Sequence, residues 1–387
     1  MTRHFTIRKM LRMTPNRLLQ DFFQRLGHQL LSVDWRRVPE RCDESLMVAL
    51  DLLPQDAHDE METAFSAIHE LACETGVQTI LEVATRDDHT HFVSLVPQAS
   101  PYHIAMWTWL HFPALFDQAA LVQSVDNLSR WRKRNDLPRV EPRRSPEAIS
   151  ELACGISRFL RCEEGRGQNC TVEHYRRTNG TDVYVAYPDD FVQSIAMHDE
   201  SGNLEPHAIR QTFEIVFAFH QQDGTLELYA KMPTQMKVKL ESLFGQIILG
   251  EDIGPEPYGR PYDLNRLRDR YFCLETDPED GLTASITSLR VKSLEWGKIG
   301  LEPLQNGRVH DIYDMADHCL NGEAVPWEQV DILKASFRFR FDPLQSRRAG
   351  TLEFDVTHPD HCTVRSRRPE RVDIVRKYLK RWRIAHV

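Results

Sequence analysis

Residues 213–231 read FEIVFAFHQQDGTLELYAK, and this stretch decides the fold class. Phe213 to Phe219 and Thr225 to Lys231 are rich in β-branched and aromatic residues, which is typical of strands. The five residues between them end in Asp223-Gly224, a turn signal that favours a β-hairpin. The sequence therefore predicts two antiparallel strands joined by a short connection.

The spacing of apolar residues differs between the parts of the chain before and after residue 168. From about residue 168 onwards, Thr171 to Arg177 and Asp182 to Tyr187 are predicted strands, and Pro233 to Leu249 is a predicted helix. Before residue 140, apolar residues recur at helical spacing, first after Thr14-Pro15, a favourable helix start. We predict an α+β fold, with a helical N-terminal domain followed by antiparallel hairpins with flanking helices.

Near the C-terminus, residues 337–341 alternate Phe and Arg. On a strand this alternation places the Phe residues on a core face and the Arg residues on the outer face. Arg338 can then pair with Glu353 or Asp355 across a hairpin. A last helix is predicted from Pro369 to Trp382.

Composition indicates where the domains end. Residues 132–146 contain three prolines and many charges, and residues 250–263 contain three Gly and three Pro. Such clusters are typical of connections between domains. We predict a mainly helical domain at 1–135, a basic, exposed, Pro-containing linker at 136–146, an α+β domain at 147–255, and a hairpin-rich α+β region at 256–387 that ends in a basic amphipathic helix.

Charge is segregated along the chain, although the net charge is −9. Residues 1–41 carry nine Lys or Arg against three Asp or Glu, residues 130–144 seven against two, and residues 365–383 nine against two. The rest of the chain is strongly acidic. Such asymmetry favours a polyanionic partner.

Two of these basic segments also have a pattern suited to nucleic acid. The final helix combines an apolar stripe, which includes Val375 and Leu379, with basic residues on its other side. In residues 130–134 a Trp lies among four Arg and Lys residues, where arginine forks grip phosphates and the indole can stack on a base. The predicted nucleic-acid-binding residues are Arg130, Arg132, Lys133, Arg134, Arg376, Lys377, Lys380 and Arg381. A solvated face whose charges complement the helix dipole explains the same helix without a ligand.

No motif indicates catalysis. The sequence has no G-x-x-x-x-G-K-[ST], no G-x-G-x-x-G and no G-x-S-x-G. His and Asp cluster at residues 310–318, 87–91 and 358–362; such residues could hold a metal, but a solvent-facing surface or a polar turn is the simpler explanation of each cluster. Glu227 and Lys231 share a strand face but lack the converging carboxylates of a two-metal nuclease. We therefore assign no catalytic residue, no metal ligand and no cofactor.

These features predict a non-enzymatic nucleic-acid-binding or assembly subunit of a larger, bacterial-type complex, with DNA or RNA and other protein subunits as partners. Two alternatives stay open. One is a metal-dependent hydrolase, a nuclease that uses residues such as Glu227 or Asp314, and the other is a protein–protein adaptor that binds no nucleic acid. No apolar run approaches the roughly 20 residues of a membrane-spanning helix. Eight cysteines without a C-x-x-C pair are typical of reduced, mostly buried thiols in a cytoplasmic protein.

Overall fold

The structure is a computed structural model. It describes residues 4–386 except 29, 31–32, 42–43, 87–91, 93–95, 97–98, 200–201, 255–260, 270–271, 294–298, 304–329, 344–348 and 365–368. The chain divides into two compact units, Met1–Asn127 and Leu128–Val387. The first is helical and the second contains antiparallel sheets with flanking helices, so the predicted α+β fold is confirmed.

Helices form the first unit. They are α1 (Ile7–Met13), α2 (Asn16–Arg25), α3 (Glu44–Leu50), α4 (Gln55–Leu71), α5 (Glu74–Arg86), α6 (Pro101–His111) and α7 (Pro113–Asn127). Phe22 of α2 and Phe65 of α4 are fully buried and stack with ring centroids 4.6 Å apart. Helix α7 starts at Pro113, because a proline cannot continue the helix that precedes it.

A six-stranded antiparallel sheet opens the second unit. Its strands are β1 (Arg132–Arg134), β2 (Cys170–Arg176), β3 (Thr181–His198), β4 (Leu204–Thr212), β5 (Ile215–His220) and β6 (Thr225–Ala230). Their order is β1-β6-β5-β3-β2, and β4 pairs with β3 outside this order. The predicted hairpin is β5–β6, with Phe217 opposite Leu228. Helices α8 (Pro146–Glu163) and α9 (Thr234–Phe244) cover the sheet, and Phe244 stacks on Phe217 at 4.9 Å.

A second antiparallel sheet follows, in the order β11-β10-β9-β7-β8. Its elements are β7 (Leu282–Ser293), β8 (Ile299–Pro303), β9 (Val330–Phe341), β10 (Gly350–Thr357), β11 (His361–Cys362) and the covering helix α10 (Pro369–Arg381). Phe337 and Phe339 of β9 are fully buried against Trp382, which follows α10. Arg338 points outward, with its Nε 2.6 Å from Glu353 Oε1, so the predicted alternation is confirmed.

Strand β1 joins the two sheets. It pairs with β6 along one edge. On the other side, the amide of Lys133 donates to the carbonyl of Asp360 at 3.0 Å, and His361 Nδ1 lies 2.8 Å from the carbonyl of Trp131. This three-residue strand therefore brings one of the basic segments against the loop that precedes the C-terminal helix.

Residues 136–146, predicted as an exposed linker, lie within the second unit. Leu137 is buried, and its amide donates to the carbonyl of Gly224 at 3.1 Å. Only glycine fits at 224, because a Cβ there would lie 2.4 Å from the carbonyl oxygen of Leu137. The amide of Arg143 likewise donates to Ile248 at 2.9 Å. The division between units falls earlier, at Asn127, and the second unit contains both regions predicted as 147–255 and 256–387.

The outer ends of β3 and β4 form a two-stranded arm. From Phe191 to His198 and from Leu204 to Thr212, nearly every side chain is exposed on both faces. Several exposed side chains are large and apolar: Phe191, Val192, Met197 and Leu204. An isolated ribbon of two strands is marginal in water, so this arm depends on the sheet at its base for stability.

The structure also bears on two general predictions from the sequence, about membrane spans and about the cysteines. Within the part of the chain that is described, no helix is both long enough and apolar enough to cross a membrane. The six described cysteines are free thiols, and Cys154, Cys162 and Cys273 are exposed. The expectation of mostly buried thiols is therefore wrong.

Candidate phosphate-binding site

A small cavity of about 30 Å³ opens between β1 and the C-terminal helix of the second unit. By the measure in which one water needs roughly 10–15 Å³, it holds about two waters. Its lining combines the first sheet with the second sheet and α10: Trp131, Lys133, Glu227, Tyr262, Asp360, Cys362, Val364, Val375, Arg376 and Leu379. Two basic segments that are far apart in the sequence thus meet at one place.

Lys133 is the central cation of this cavity. On β1 it lies directly opposite Glu227 of β6, and its Nζ is 5.6 Å from the centre of the Tyr262 ring. Burial lowers the pKa of the Lys133 ammonium, Glu227 opposes that shift, and Arg376 and Lys380 lower the pKa further. Among the described residues Lys133 has no ion pair. The cavity therefore presents a largely buried positive charge whose nearest charged neighbours include two more cations.

Helix α10 carries the other two cations on one side. Val375 and Leu379 are buried and hold the helix on the second sheet. Arg376 and Lys380, four residues apart, lie on the same exposed face, next to the cavity. Neither has an ion pair within the described part of the chain.

The remaining basic pair of α10 is neutralised. Lys377 Nζ lies 2.7 Å from Asp280 and 3.1 Å from Asp277, and Arg381 also pairs with Asp277. Hydrogen bonds from Arg381 and Lys377 lower the pKa of the Asp277 carboxyl. Of the four helix residues predicted to contact nucleic acid, these two face carboxylates of their own unit, while Arg376 lines the cavity and Lys380 lies close enough to lower the pKa of Lys133.

Arg132 and Arg134 are inside the protein. Arg132 donates to Glu241 at 2.8 Å and to Asp360 at 2.7 Å, and Arg134 forms an ion pair with Asp136 at 2.8 Å. Arg134 and Glu241 are completely buried. Because β1 alternates its side chains, Lys133 points away from this carboxylate cluster and into the cavity. Arg132 and Arg134 therefore do not belong to an accessible phosphate-binding surface.

The first two residues of the basic segment 130–134 differ in exposure. Arg130 is exposed and has a left-handed backbone, with φ of 67°. Trp131 is only 4% exposed, donates from Nε1 to Leu128 at 3.1 Å, and packs on Tyr229. Its indole is therefore part of the interior and is not available for stacking on a base.

Sequence reasoning missed two polar residues of the cavity. Tyr262 is buried, and burial raises its pKa. Burial also raises the pKa of the Cys362 thiol to about 11, so both side chains are neutral at pH 7. The polar run at 358–362 was a signal for Cys362, whereas Tyr262 follows a segment rich in Gly and Pro, and no sequence pattern indicated it.

The metal candidates fall into two groups. The clusters at 310–318 and 87–91 lie outside the described residues. In the run 358–362, Asp360 is held by Arg132, and His358 Nδ1 lies 3.1 Å from the carbonyl of Tyr262. Glu227 faces Lys133 across the strand pair, and no group of three metal-binding side chains occurs in the described ranges.

Comparison of the chain with protein-family models, with curated proteins and with solved structures finds no match. The geometry of the cavity is therefore the basis for assigning a function.

Proposed function

We propose that this protein is a non-enzymatic nucleic-acid-binding subunit of a larger complex, and that it holds phosphates at Lys133, Arg376 and Lys380. One observation carries the proposal. Two basic segments separated by more than 200 residues converge on one cavity, although neighbouring basic residues are paired with carboxylates. Uncompensated cations grouped on a surface favour a polyanion, since each phosphate contact releases condensed counterions.

The contacts proposed are to the backbone and not to bases. Lysine and arginine bind phosphate oxygens whatever the sequence, and such contacts set affinity and orientation without specifying bases. The buried indole of Trp131 offers no stacking platform. We therefore expect similar affinity for unrelated sequences, and a cytoplasmic location that gives access to DNA or RNA.

The assembly part of the proposal is supported by the β3–β4 arm. Phe191 is 53% exposed and Leu204 is 64% exposed. Large apolar groups grouped on a protruding element mark contact sites for other proteins. Asp199 and Glu205 lie near the tip, so the arm is unsuited to a phosphate backbone and fits a protein subunit.

Helix α10 offers a matched test of the phosphate contacts. The double variant R376Q/K380Q removes the two cations next to the cavity, and K377Q/R381Q removes two cations that are paired with Asp277 and Asp280. Binding of a fluorescent 20-nucleotide duplex and single strand, as DNA and RNA, is measured by anisotropy across a salt series. For duplex DNA, R376Q/K380Q should lower the salt slope by about 1.8, which is roughly 0.9 for each lost phosphate contact.

The control variant decides between a specific surface and general charge. K377Q/R381Q should leave the slope close to that of the wild-type protein, because its cations already face carboxylates. Equal losses in the two variants would mean that net charge alone matters. If the wild-type protein binds no nucleic acid at 50 mM salt, nucleic acid is ruled out as a partner. The alternative of a protein–protein adaptor would then be favoured.

A further inference from the structure

The cavity at Lys133 is a partly enclosed recess. Strands β1 and β6 form one side, and Val364 with the residues of α10 forms the other. Tyr262 is buried at its wall, and Cys362 is half-buried there. Its room of about 30 Å³, enough for about two waters, suits a compact group better than a planar base. An internal phosphodiester carries a nucleoside on both of its ester oxygens, whereas a terminal phosphate has only one attachment and can enter end-on.

The charges around the recess favour a dianion. Lys133, Arg376 and Lys380 supply three positive charges. Of the two carboxylates in the lining, Asp360 is engaged by Arg132 at 2.7 Å, and Glu227 lies opposite Lys133 on the paired strand. Positive charge therefore remains in excess. A phosphomonoester carries about −1.5 to −2 at pH 7, while an internal phosphodiester carries a single negative charge.

The burial of Lys133 also favours a bound anion. A lysine that lies this deep without an ion pair among the described residues is unfavourable in the empty protein, as its lowered pKa indicates. An anion seated against Nζ would stabilise the ammonium and would restore the pairing that buried charges need.

We propose that the recess at Lys133, Arg376 and Lys380 seats the terminal phosphomonoester of a nucleic-acid strand. This inference rests on the proposed function, because it adds a preferred strand end to a protein that contacts phosphates along the backbone. Lys133 binds the terminal phosphate inside the recess, and Arg376 and Lys380 bind it at the rim and continue towards the next phosphates.

The test compares strand ends. Wild-type protein is titrated with four single-stranded oligonucleotides of one sequence, bearing 5′-phosphate, 3′-phosphate, both or neither, at 100 mM salt. At least one phosphorylated end should bind about tenfold more tightly than the hydroxyl end, which is typical of one charge-assisted contact. Adenosine monophosphate should compete, and adenosine should not. The 5′ and 3′ arms distinguish which end is recognised.

Variants locate the preference. K133M keeps the length of the side chain but removes its charge, and it should bind all four oligonucleotides with the affinity that the wild type shows for the hydroxyl end. K377Q/R381Q should keep the tenfold preference. Thermal melting of each variant shows that the protein is folded.

Several results would overturn the inference. If the wild-type protein binds the four oligonucleotides with equal affinity, the proposed site for a terminal phosphate is ruled out. Binding to the phosphate backbone would still stand. A preference that survives in K133M places the recognition elsewhere. Absence of binding to any oligonucleotide at 50 mM salt overturns the proposed function as well, so the two failures are distinguishable.

Discussion

At the scale of single residues, adjacent side chains of the same charge lie in different environments. Arg132, Lys133 and Arg134 are adjacent in the sequence and form β1. The two arginines lie against Glu241, and the lysine between them faces the cavity. The alternation of a strand explains this division, because adjacent residues point to opposite faces. The local excess of positive charge is therefore an incomplete guide to which residues bind a ligand.

The ion pairs of Glu241 lead to a stability prediction. Glu241 is fully buried between Arg132 at 2.8 Å and Arg134 at 3.5 Å. Glu241→Gln leaves both guanidiniums buried with less compensating charge, so the free energy of unfolding should fall by about 3–5 kcal/mol. Urea unfolding followed by circular dichroism measures the change.

An exposed pair provides the control. Glu353, which pairs with Arg338 on the outer face of the second sheet, has a side chain that is 60% exposed. Glu353→Gln should cost less than about 1 kcal/mol, because water screens exposed ion pairs. If both substitutions cost the same, the buried cluster would not be the reason for the effect.

At the scale of elements, the long strand β3 has two parts with different roles. Its first half, which includes Val183 and Val185, is buried between β2 and β5. Its second half pairs only with β4 and is exposed. The arm adds little to the hydrophobic core, and its apolar side chains are available to another molecule.

The arm is therefore expected to tolerate polar substitutions. M197S/L204S should change the free energy of unfolding by no more than about 0.5 kcal/mol, because both side chains are already exposed. Leu228→Ala, in the buried part of the same sheet, should cost about 2–5 kcal/mol. Chemical denaturation compares the two variants. A cost above about 2 kcal/mol for M197S/L204S would mean that the arm packs onto its own protein.

At the scale of the whole molecule, the boundary between the two compact units is the main difference from the sequence prediction. The Pro-rich, charged segment 136–146 has the composition of a linker but packs along the second unit. Residues 128–131 have no regular secondary structure, and Ser129 and Arg130 are exposed. Composition alone does not distinguish an exposed connection from a segment whose backbone is hydrogen-bonded to distant loops.

Limited proteolysis tests this boundary. Trypsin should cleave after Arg130 faster than after Arg139, because Ser129 and Arg130 are exposed and outside regular secondary structure, whereas the chain around Arg139 is held by the backbone hydrogen bonds of Leu137 and Arg143. Mass spectrometry of fragments from a short digestion compares the two sites. Faster cleavage after Arg139 would favour the linker predicted from the sequence.

The sequence by itself determined the fold class and the local elements. The hairpin at 213–231 and the alternation of residues 337–341 could be predicted because strand periodicity and turn residues act over a few positions. Only the tertiary structure decided which cations are available. Glu241 neutralises Arg134 across 107 residues, and Lys133 meets Arg376 across more than 200, so no local pattern could separate the buried ion pairs from the cavity. Long-range packing controls burial and pairing, and these two properties determine which charges can bind a ligand.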